Sequence, residues 1–372
     1  MKKVLLVATV QSHIAQFHKP LIQWLENSGY QVDIAARDNL DTKPNLHLDI
    51  PGTKFDVPFE RSPFNPKNIK AYFKLKQVID SGDYEIVHCN TPVGGILTRL
   101  AANRKRKKGE TKVIYEAHGF HFFKGGPKKN WLLWYPIEKL FAHFTDTLLT
   151  INLEDYTLAQ NKMNAGRVAY VSGVGIDLQK FAGGITDKAV KREELGIPYD
   201  AKLLLSVGEL NRNKNHEIVM QAIQGMDIYY LIAGNGPLRG HLENTVEEFG
   251  LTDRVKLLGY RRDIRELCAA ADVFVLPSIR EGLPVALMEA MAGGMPVVCS
   301  EIRGNTDLID NNGGIMFDPY SVETCRSAIV KMLSSDLERY GQYNAEKVKR
   351  FSQEAVIQQM QRIYWELLNG GK

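Results

Sequence analysis

Cysteine is scarce and scattered: four residues in 372, at Cys89, Cys268, Cys299 and Cys325, with no C-x-x-C pair and no histidine group beside them. That spacing argues against a structural zinc site and a disulfide framework, and fits reduced thiols packed as small hydrophobes. Long apolar runs are missing as well. The stretches 4–10 and 273–277 fall far short of the ~20 residues that span a bilayer. The opening Met1-Lys2-Lys3 imitates a signal peptide, but the apolar run behind it stops at Gln11-Ser12-His13 without a small-residue cleavage site, so a cytosolic chain is expected. There is no internal repeat, low-complexity tract, Walker loop, G-x-G-x-x-G fingerprint or D-x-D triplet. With 44% hydrophobic and 24% charged residues, disorder, collagen and coiled coil are excluded as overall descriptions.

What is present is an alternation. Apolar strands at 3–9, 31–36, 85–88, 112–116, 147–151 and 168–171 interleave with helical stretches at 17–27, 69–79, 95–103, 131–144 and 153–163. The pattern restarts with strands at 202–207, 229–233, 255–258, 273–276 and 296–299 and helices at 214–224, 238–249, 264–270 and 285–292. Such alternation predicts βαβ units and parallel sheets in two Rossmann-like domains, residues 1–174 and 175–350. Between the two series, 173–198 carries Gly183-Gly184 and the charge run 188–194, and reads as a linker. Residues 351–372 form an amphipathic helix through Val356, Met360, Ile363, Tyr364 and Leu367, with no strand after it, so it must cover a surface in either domain or across both. Charge divides the chain too. Residues 1–174 hold 24 Lys and Arg against 16 Asp and Glu, and the remainder 23 against 27, so only the first half suits an anionic partner.

Open α/β sheets bind ligands beyond the carboxyl ends of their strands. The unusual local sequences fall there: Ala117-His118-Gly119-Phe120-His121; Gly208-Glu209-Leu210-Asn211-Arg212-Asn213-Lys214; Gly234-Asn235-Gly236-Pro237; and the stretch from Pro277 to Pro284. One lies in the first half and three in the second, which points to a cleft between domains. Each has a plain reading beside the functional one. Glycines at strand-to-helix turns often serve backbone geometry alone, and a lone histidine is more often structural than catalytic. Arg212 and Lys214 near a helix start oppose the helix dipole, which favours their facing an anion. Glu281 and Glu289, eight apart, flank Gly282-Leu283-Pro284-Val285. Glu289 lies among apolar helix residues and needs hydrogen-bond donors such as sugar hydroxyls. The backbone N–H groups of Leu283 and Val285 at the helix start suit a phosphate.

The block from Glu281 through Glu289 to Gly294-x-Pro296-Val-Val resembles the E-x7-E signature of retaining nucleotide-sugar glycosyltransferases of family 4, which have the GT-B fold. The Gly234-Asn235-Gly236 turn, Gly173-Val-Gly175-Ile-Asp177 and the His118 loop fall where those enzymes carry theirs. The first half, with 117–122 and Ile151-Asn152-x-Glu154-Asp155-Tyr156, is most similar to bacterial capsular and exopolysaccharide transferases. The resemblance implies that Glu281 contacts donor-sugar hydroxyls, Glu289 the ribose, Lys214 the diphosphate, and His118 the sugar near the reacting carbon. Catalysis then falls to His118, Lys214 and Glu281, and donor binding to Gly208, Arg212, Gly234, Asn235, Gly236, Gly282, Leu283, Pro284, Val285 and Glu289 as well. One departure stands out: glutamate, at Glu209, replaces the arginine that normally grips the leaving phosphate, and Arg212 is the candidate substitute.

These features predict a hexosyl- or N-acetylhexosaminyltransferase passing sugar from a UDP-linked donor to a polyprenyl-linked oligosaccharide for surface polysaccharide. No metal or cofactor is expected, since D-x-D is absent and Lys214, Arg212 and helix amides can serve the leaving group. A nucleotide-sugar 2-epimerase of the same fold is the nearest rival; a two-lobed sugar-binding protein is a more distant one. The first domain is expected to sit on an anionic membrane at the inner face of the cell membrane. Its cations there are Lys105, Arg106, Lys107, Lys128 and Lys129, and its interfacial aromatics Trp131 and Trp134. Nucleic-acid binding is not expected, because no recognised motif accompanies these cations.

Overall fold

The computed structural model describes residues 2–43, 46–181 and 187–370. Met1 and the Gly183-Gly184 pair of the expected linker lie outside the described residues. The chain divides into two compact units, one of Met1–Gly175 with Gln353–Lys372, the other of Ile176–Ser352.

Unit 1 holds a parallel sheet in the order β3-β2-β1-β4-β5-β6-β7. The strands are β1 (Lys2–Val10), β2 (Tyr30–Arg37), β3 (Lys54–Asp56), β4 (Tyr84–Asn90), β5 (Lys112–Ala117), β6 (Thr147–Thr150) and β7 (Arg167–Tyr170). The helices between them are α1 (Gln11–Phe17), α2 (Lys19–Asn27), α3 (Lys67–Ser81), α4 (Pro92–Lys107), α5 (Lys128–Ala142) and α6 (Leu153–Lys162). Val4 to Ala8 of β1 are wholly buried, as a central parallel strand covered on both faces requires. Val4 sits in register with Val32 on one side and Ile86 on the other.

Unit 2 repeats the plan with β8 (Lys202–Val207), β9 (Ile228–Ala233), β10 (Val255–Gly259), β11 (Val273–Leu276), β12 (Val297–Ser300) and β13 (Gly314–Phe317), all parallel, in the order β10-β9-β8-β11-β12-β13. Its helices are α7 (Lys188–Glu194), α8 (His216–Ile223), α9 (Arg239–Glu248), α10 (Ile264–Ala270), α11 (Val285–Ala292), α12 (Asn305–Leu308), α13 (Val322–Leu333) and α14 (Leu337–Lys347). The final α15 (Gln353–Asn369) belongs to unit 1. It buries Val356, Met360, Ile363 and Tyr364, the apolar face seen in the sequence, and Tyr364 Oη lies 2.8 Å from His88 Nδ1.

Two expectations differ from the structure. The 188–194 charge run is not linker but α7, capped by Asp187, with Arg192 Nη2 2.9 Å from Asp272 and Lys191 Nζ 2.8 Å from Asp263. Ion pairing lets these side chains be buried, and charge spacing alone does not reveal partners 70–80 residues away. Likewise the first helical stretch, expected at 17–27, begins earlier: α1 spans Gln11–Phe17 directly after β1, and α2 Lys19–Asn27 follows a break at His18. All four cysteines are buried and unpaired by disulfides, as expected. No helix among the described residues is long and apolar enough to cross a membrane.

A buried polar cluster fastens α5 to α4 and to β5. Arg99 Nη2 donates to Glu138 Oε2 at 2.9 Å, Tyr115 Oη donates to Glu138 Oε1 at 3.0 Å, and the Arg99 guanidinium lies 3.9 Å above the Tyr115 ring. Removing one partner leaves a buried charge exposed to apolar surroundings, at a cost of about 3–5 kcal/mol. Glu138→Leu is therefore expected to lower the unfolding free energy from urea melts by that amount, while the double variant Arg99→Met with Glu138→Leu recovers most of the loss.

Candidate active site

Unit 2 brings Lys214 and Glu281 together. The strand order reverses between β8 and β11, the position at which such sheets take ligands. The loops leaving these strands are tied to each other: the Ile279 N–H donates to the Asn213 carbonyl at 2.9 Å, and Asn213 Nδ2 to the Arg280 carbonyl at 2.8 Å. Lys214 Nζ consequently lies 2.7 Å from Glu281 Oε1, with the two side chains only 17% and 13% exposed. A Cβ on Gly208 would approach the Lys214 stem to 3.1 Å, so this glycine leaves room for the lysine to cross the loop.

The glycines at 234 and 236 have a backbone reason to be there. A Cβ would stand 1.8 Å from the Gly208 carbonyl at the first and 2.4 Å from the Leu210 carbonyl at the second, so both hold the β8 loop in place. Asn235 is exposed, and its carbonyl accepts from Leu210 N–H at 3.0 Å. Arg212 and Glu209 are exposed, and Asn211 Nδ2 donates to the Glu209 carboxylate at 2.9 Å. On the other side Gly282, Leu283 and Pro284 lead into Val285 at the start of α11, which no side chain caps. Glu289, half-buried within α11, has its carboxyl pushed up by burial, with Lys180 acting the other way.

One cation escaped the sequence reading. Arg303, buried, donates from Nε to the Glu281 carbonyl at 3.2 Å. The Gly304 that follows it has φ +83°, and a Cβ there would lie 2.4 Å from the Gly282 carbonyl. Its signal was positional: Arg303-Gly304 follows β12 at a strand's carboxyl end, where ligand loops of this sheet type gather.

In unit 1 the reversal lies between β1 and β4, and His118 follows the neighbouring β5. Its Nε2 is 3.1 Å from Asn90 Oδ1 and 3.5 Å from Glu116 Oε1, while Glu116 Oε2 is 3.2 Å from His88 Nε2. Burial alone would raise the Glu116 carboxyl, yet the imidazoles of His118, His88 and His18 hold it well below the usual carboxylate range. His13 and His18 were missed by sequence reasoning. The chain breaks between α1 and α2 at His18, φ −115°, and thereby sets the two rings 5.4 Å apart, with that of His118 5.0 Å from His13 and 5.7 Å from His18. Among the described residues these three present ring nitrogens within 4.8 Å of one another, a group able to hold a metal ion.

The membrane-side candidates are spread over two places. Lys105 donates to the Gly82 carbonyl at 2.7 Å, Arg106 Nε pairs with Asp146 at 3.0 Å, and Lys107 is exposed at the C-terminus of α4, where the dipole favours cations. Lys128 and Lys129 are exposed in the first turn of α5, where the dipole disfavours them. Trp131 Nε1 donates to the Phe123 carbonyl at 3.0 Å, and Trp134 stacks on His121 with centroids 4.6 Å apart.

The buried histidines set a pH dependence. Burial lowers His18 from 6.5 to about 3, against the pull of Glu116. Between those values the unfolded chain binds a proton that the native one does not, so stability falls as pH drops. At pH 5 the loss from His18 alone is about 2 kcal/mol, on ~1.4 kcal/mol per pH unit. Urea melts at pH 7 and 5 are expected to differ by that much more in the parent than in His18→Leu.

Residues 187–355 match the family described as glycosyl transferases group 1, and residues 3–152 the one described as glycosyl transferase 4-like. The chain is 37% identical over 373 residues to the putative glycosyltransferase EpsD of Bacillus subtilis, covering 98% of this chain and 96% of that protein. It is 30% identical over 277 residues to an Escherichia coli UDP-Gal:alpha-D-GlcNAc-diphosphoundecaprenol alpha-1,3-galactosyltransferase, covering 72% and 70%. The Anabaena HepE structure in complex with UDP and glucose superposes with a TM-score of 0.78 at 17% identity, over 98% of this chain and all of that one. Two parallel α/β units of one strand order and a relative matching nearly end to end give one conclusion: the chain belongs to the family 4-like, group 1 glycosyltransferases and has their GT-B fold.

Proposed function

We propose that this glycosyltransferase moves a sugar from a UDP-sugar to a polyprenyl-linked saccharide in exopolysaccharide synthesis, with retention of anomeric configuration. The observation that carries the reading is the Lys214–Glu281 pair at the strand-order reversal of unit 2. Lys214 meets the diphosphate, Glu281 accepts from sugar hydroxyls and Glu289 from the ribose. Arg212 and Arg303 are the cations available where Glu209 cannot serve. The UDP donor is supported by HepE, crystallised with UDP, and the lipid-linked acceptor by the galactosyltransferase relative.

In the reaction the bond from the anomeric carbon to the diphosphate oxygen breaks, and its electron pair leaves with UDP. The acceptor hydroxyl oxygen bonds to the same face of that carbon, and its proton passes to the departing phosphate. Negative charge grows on the diphosphate, and fixed cations and backbone amides stabilise it by a few kcal/mol. Unit 1 receives the acceptor, contributes His118, and docks on an anionic leaflet through Lys128, Lys129 and Lys107.

The deciding experiment offers UDP-, GDP- and ADP-sugars with a lipid-linked acceptor and reads nucleoside diphosphate release and the anomeric configuration of the product. Release that needs acceptor, with retention, is expected; release without acceptor, or an inverted product, overturns the reading. Lys214→Ala is expected to lower kcat by about 10²–10³, Glu281→Gln to act mainly on turnover, and Glu289→Ala mainly on the UDP dissociation constant. Turnover is expected without added Mg²⁺ or Mn²⁺, and strict dependence on either would reassign the diphosphate contact. Sedimentation with anionic vesicles is expected to show binding that weakens as salt rises and falls when Lys128 and Lys129 are neutralised, each cation being worth roughly 1 kcal/mol.

A further inference from the structure

Helix α5 is only partly taken up by the core. Its fully buried residues are Glu138 and Ala142, Trp131, Trp134 and Tyr135 pack in part against the core of unit 1, and Leu132 is 82% exposed and Leu140 57%. The Arg99–Glu138 pair joins it to α4, and the Tyr115 hydroxyl joins Glu138 to β5. The outer sides of Trp131 and Tyr135 stay partly exposed. Between α5 and α6 lies a cavity of about 690 Å³ whose walls include Trp131, Leu153, Glu154, Thr157, Leu158 and Lys162, with the Glu154 carboxylate taken up by the Lys124 N–H. This is the size of small-molecule sites, which are mainly apolar with a few placed polar groups. Leu153, half of it exposed, continues the apolar surface at its edge.

The groove is joined to the loop that carries His118. The Phe120 N–H donates to Asp155 at 2.9 Å and the Lys124 N–H to Glu154 at 2.7 Å, so the loop is bound to the first turn of α6. Asn130 Nδ2 donates to the His121 carbonyl at 2.9 Å and Trp131 Nε1 to the Phe123 carbonyl, so the same loop is bound to the first turn of α5. Lys162 lines it, and Lys124, Lys128 and Lys129 stand exposed on the loop and the helix start joined to it. Lys128 and Lys129 occupy a helix start, a position that a neighbouring anion would make favourable. Hydrocarbon-lined space with cations at its margin complements an amphiphile that has an apolar tail and an anionic head.

We propose that the groove between α5 and α6 seats the head-proximal isoprenoid units of the lipid diphosphate acceptor, with the diphosphate toward Lys124, Lys128 and Lys129. The proposal rests on the lipid-linked acceptor assigned above. It makes the tail a recognised part of the substrate rather than a mere anchor in the bilayer. A bulk anionic phospholipid has the same chemistry, and the test separates the two sources.

One saccharide diphosphate is offered on an isoprenoid tail and on a short alkyl tail, in detergent, to the full chain. The parent enzyme is expected to show a KM at least tenfold lower for the isoprenoid acceptor. Thr157→Glu and Leu153→Glu, at exposed positions where folding is tolerant, are expected to erase that preference, leaving kcat and the short-tail KM unchanged. Equal KM values for both tails in the parent, or variants that raise both alike, would overturn the groove. Calorimetry with geranylgeranyl diphosphate needs no turnover, so it distinguishes failure of the groove from failure of the transferase reading. The parent is expected to bind it at least tenfold more tightly than Thr157→Glu does, and pyrophosphate alone to bind both equally weakly. Displacement by phosphatidylglycerol at equal affinity would assign the groove to bulk lipid and overturn the acceptor proposal.

Discussion

The contact between Lys214 and Glu281 is the constraint around which unit 2 is arranged. A cation and a carboxylate, brought together from the loops after β8 and β11, neutralise each other at 2.7 Å. Neither is left as a bare charge in a largely buried place, which would cost several kcal/mol. The loops are shaped to keep this pairing. Gly208 yields space to the lysine stem, Asn213 binds one loop to the other, and Gly304 lets the β12 loop touch Gly282.

Unit 1 is organised on a different principle. Burial disfavours the charged forms of His13, His18 and His118 near one carboxylate, Glu116, and helix α5 buries a glutamate while Leu132 and Leu140 stay outside. A polar residue is buried beside the packed aromatics Trp131, Trp134 and Tyr135. Arg99 and Tyr115 satisfy the Glu138 carboxylate there.

Much of the fold was legible because strands covered on both faces are written as unbroken apolar runs, as in β1, β8 and β11. The edge strand β3, Lys54–Asp56, buries little and has no such run, and β13, Gly314–Phe317, is only four residues long. α7 was hidden because its buried residues are cations whose partners, Asp272 and Asp263, are remote in sequence. In the site, Glu281 and Glu289 were visible through their spacing around Gly282-Leu283-Pro284. The clustering of His13 and His18 was not. In an unbroken helix residues five apart point to different sides, and only the break at His18 brings the rings together. Arg303 carried only a positional signal, after β12, because the carbonyl it meets, that of Glu281, is remote in sequence.

Unit 1 is assembled from two stretches of chain with the whole of unit 2 between them, α15 packing against α2 and closing over His88 through Tyr364. Chains emerge from the ribosome at ~5–20 residues per second, and domains generally fold as units. The sheet of unit 1 is therefore made first, yet stays unsealed along its α15 face for some ten seconds or more, while unit 2 is synthesised and can complete itself. During that interval His88 has no hydroxyl partner and the apolar bed of α15 is open to solvent. The unit that begins first is the last to finish, and the order of synthesis makes it the part most in need of protection from premature association.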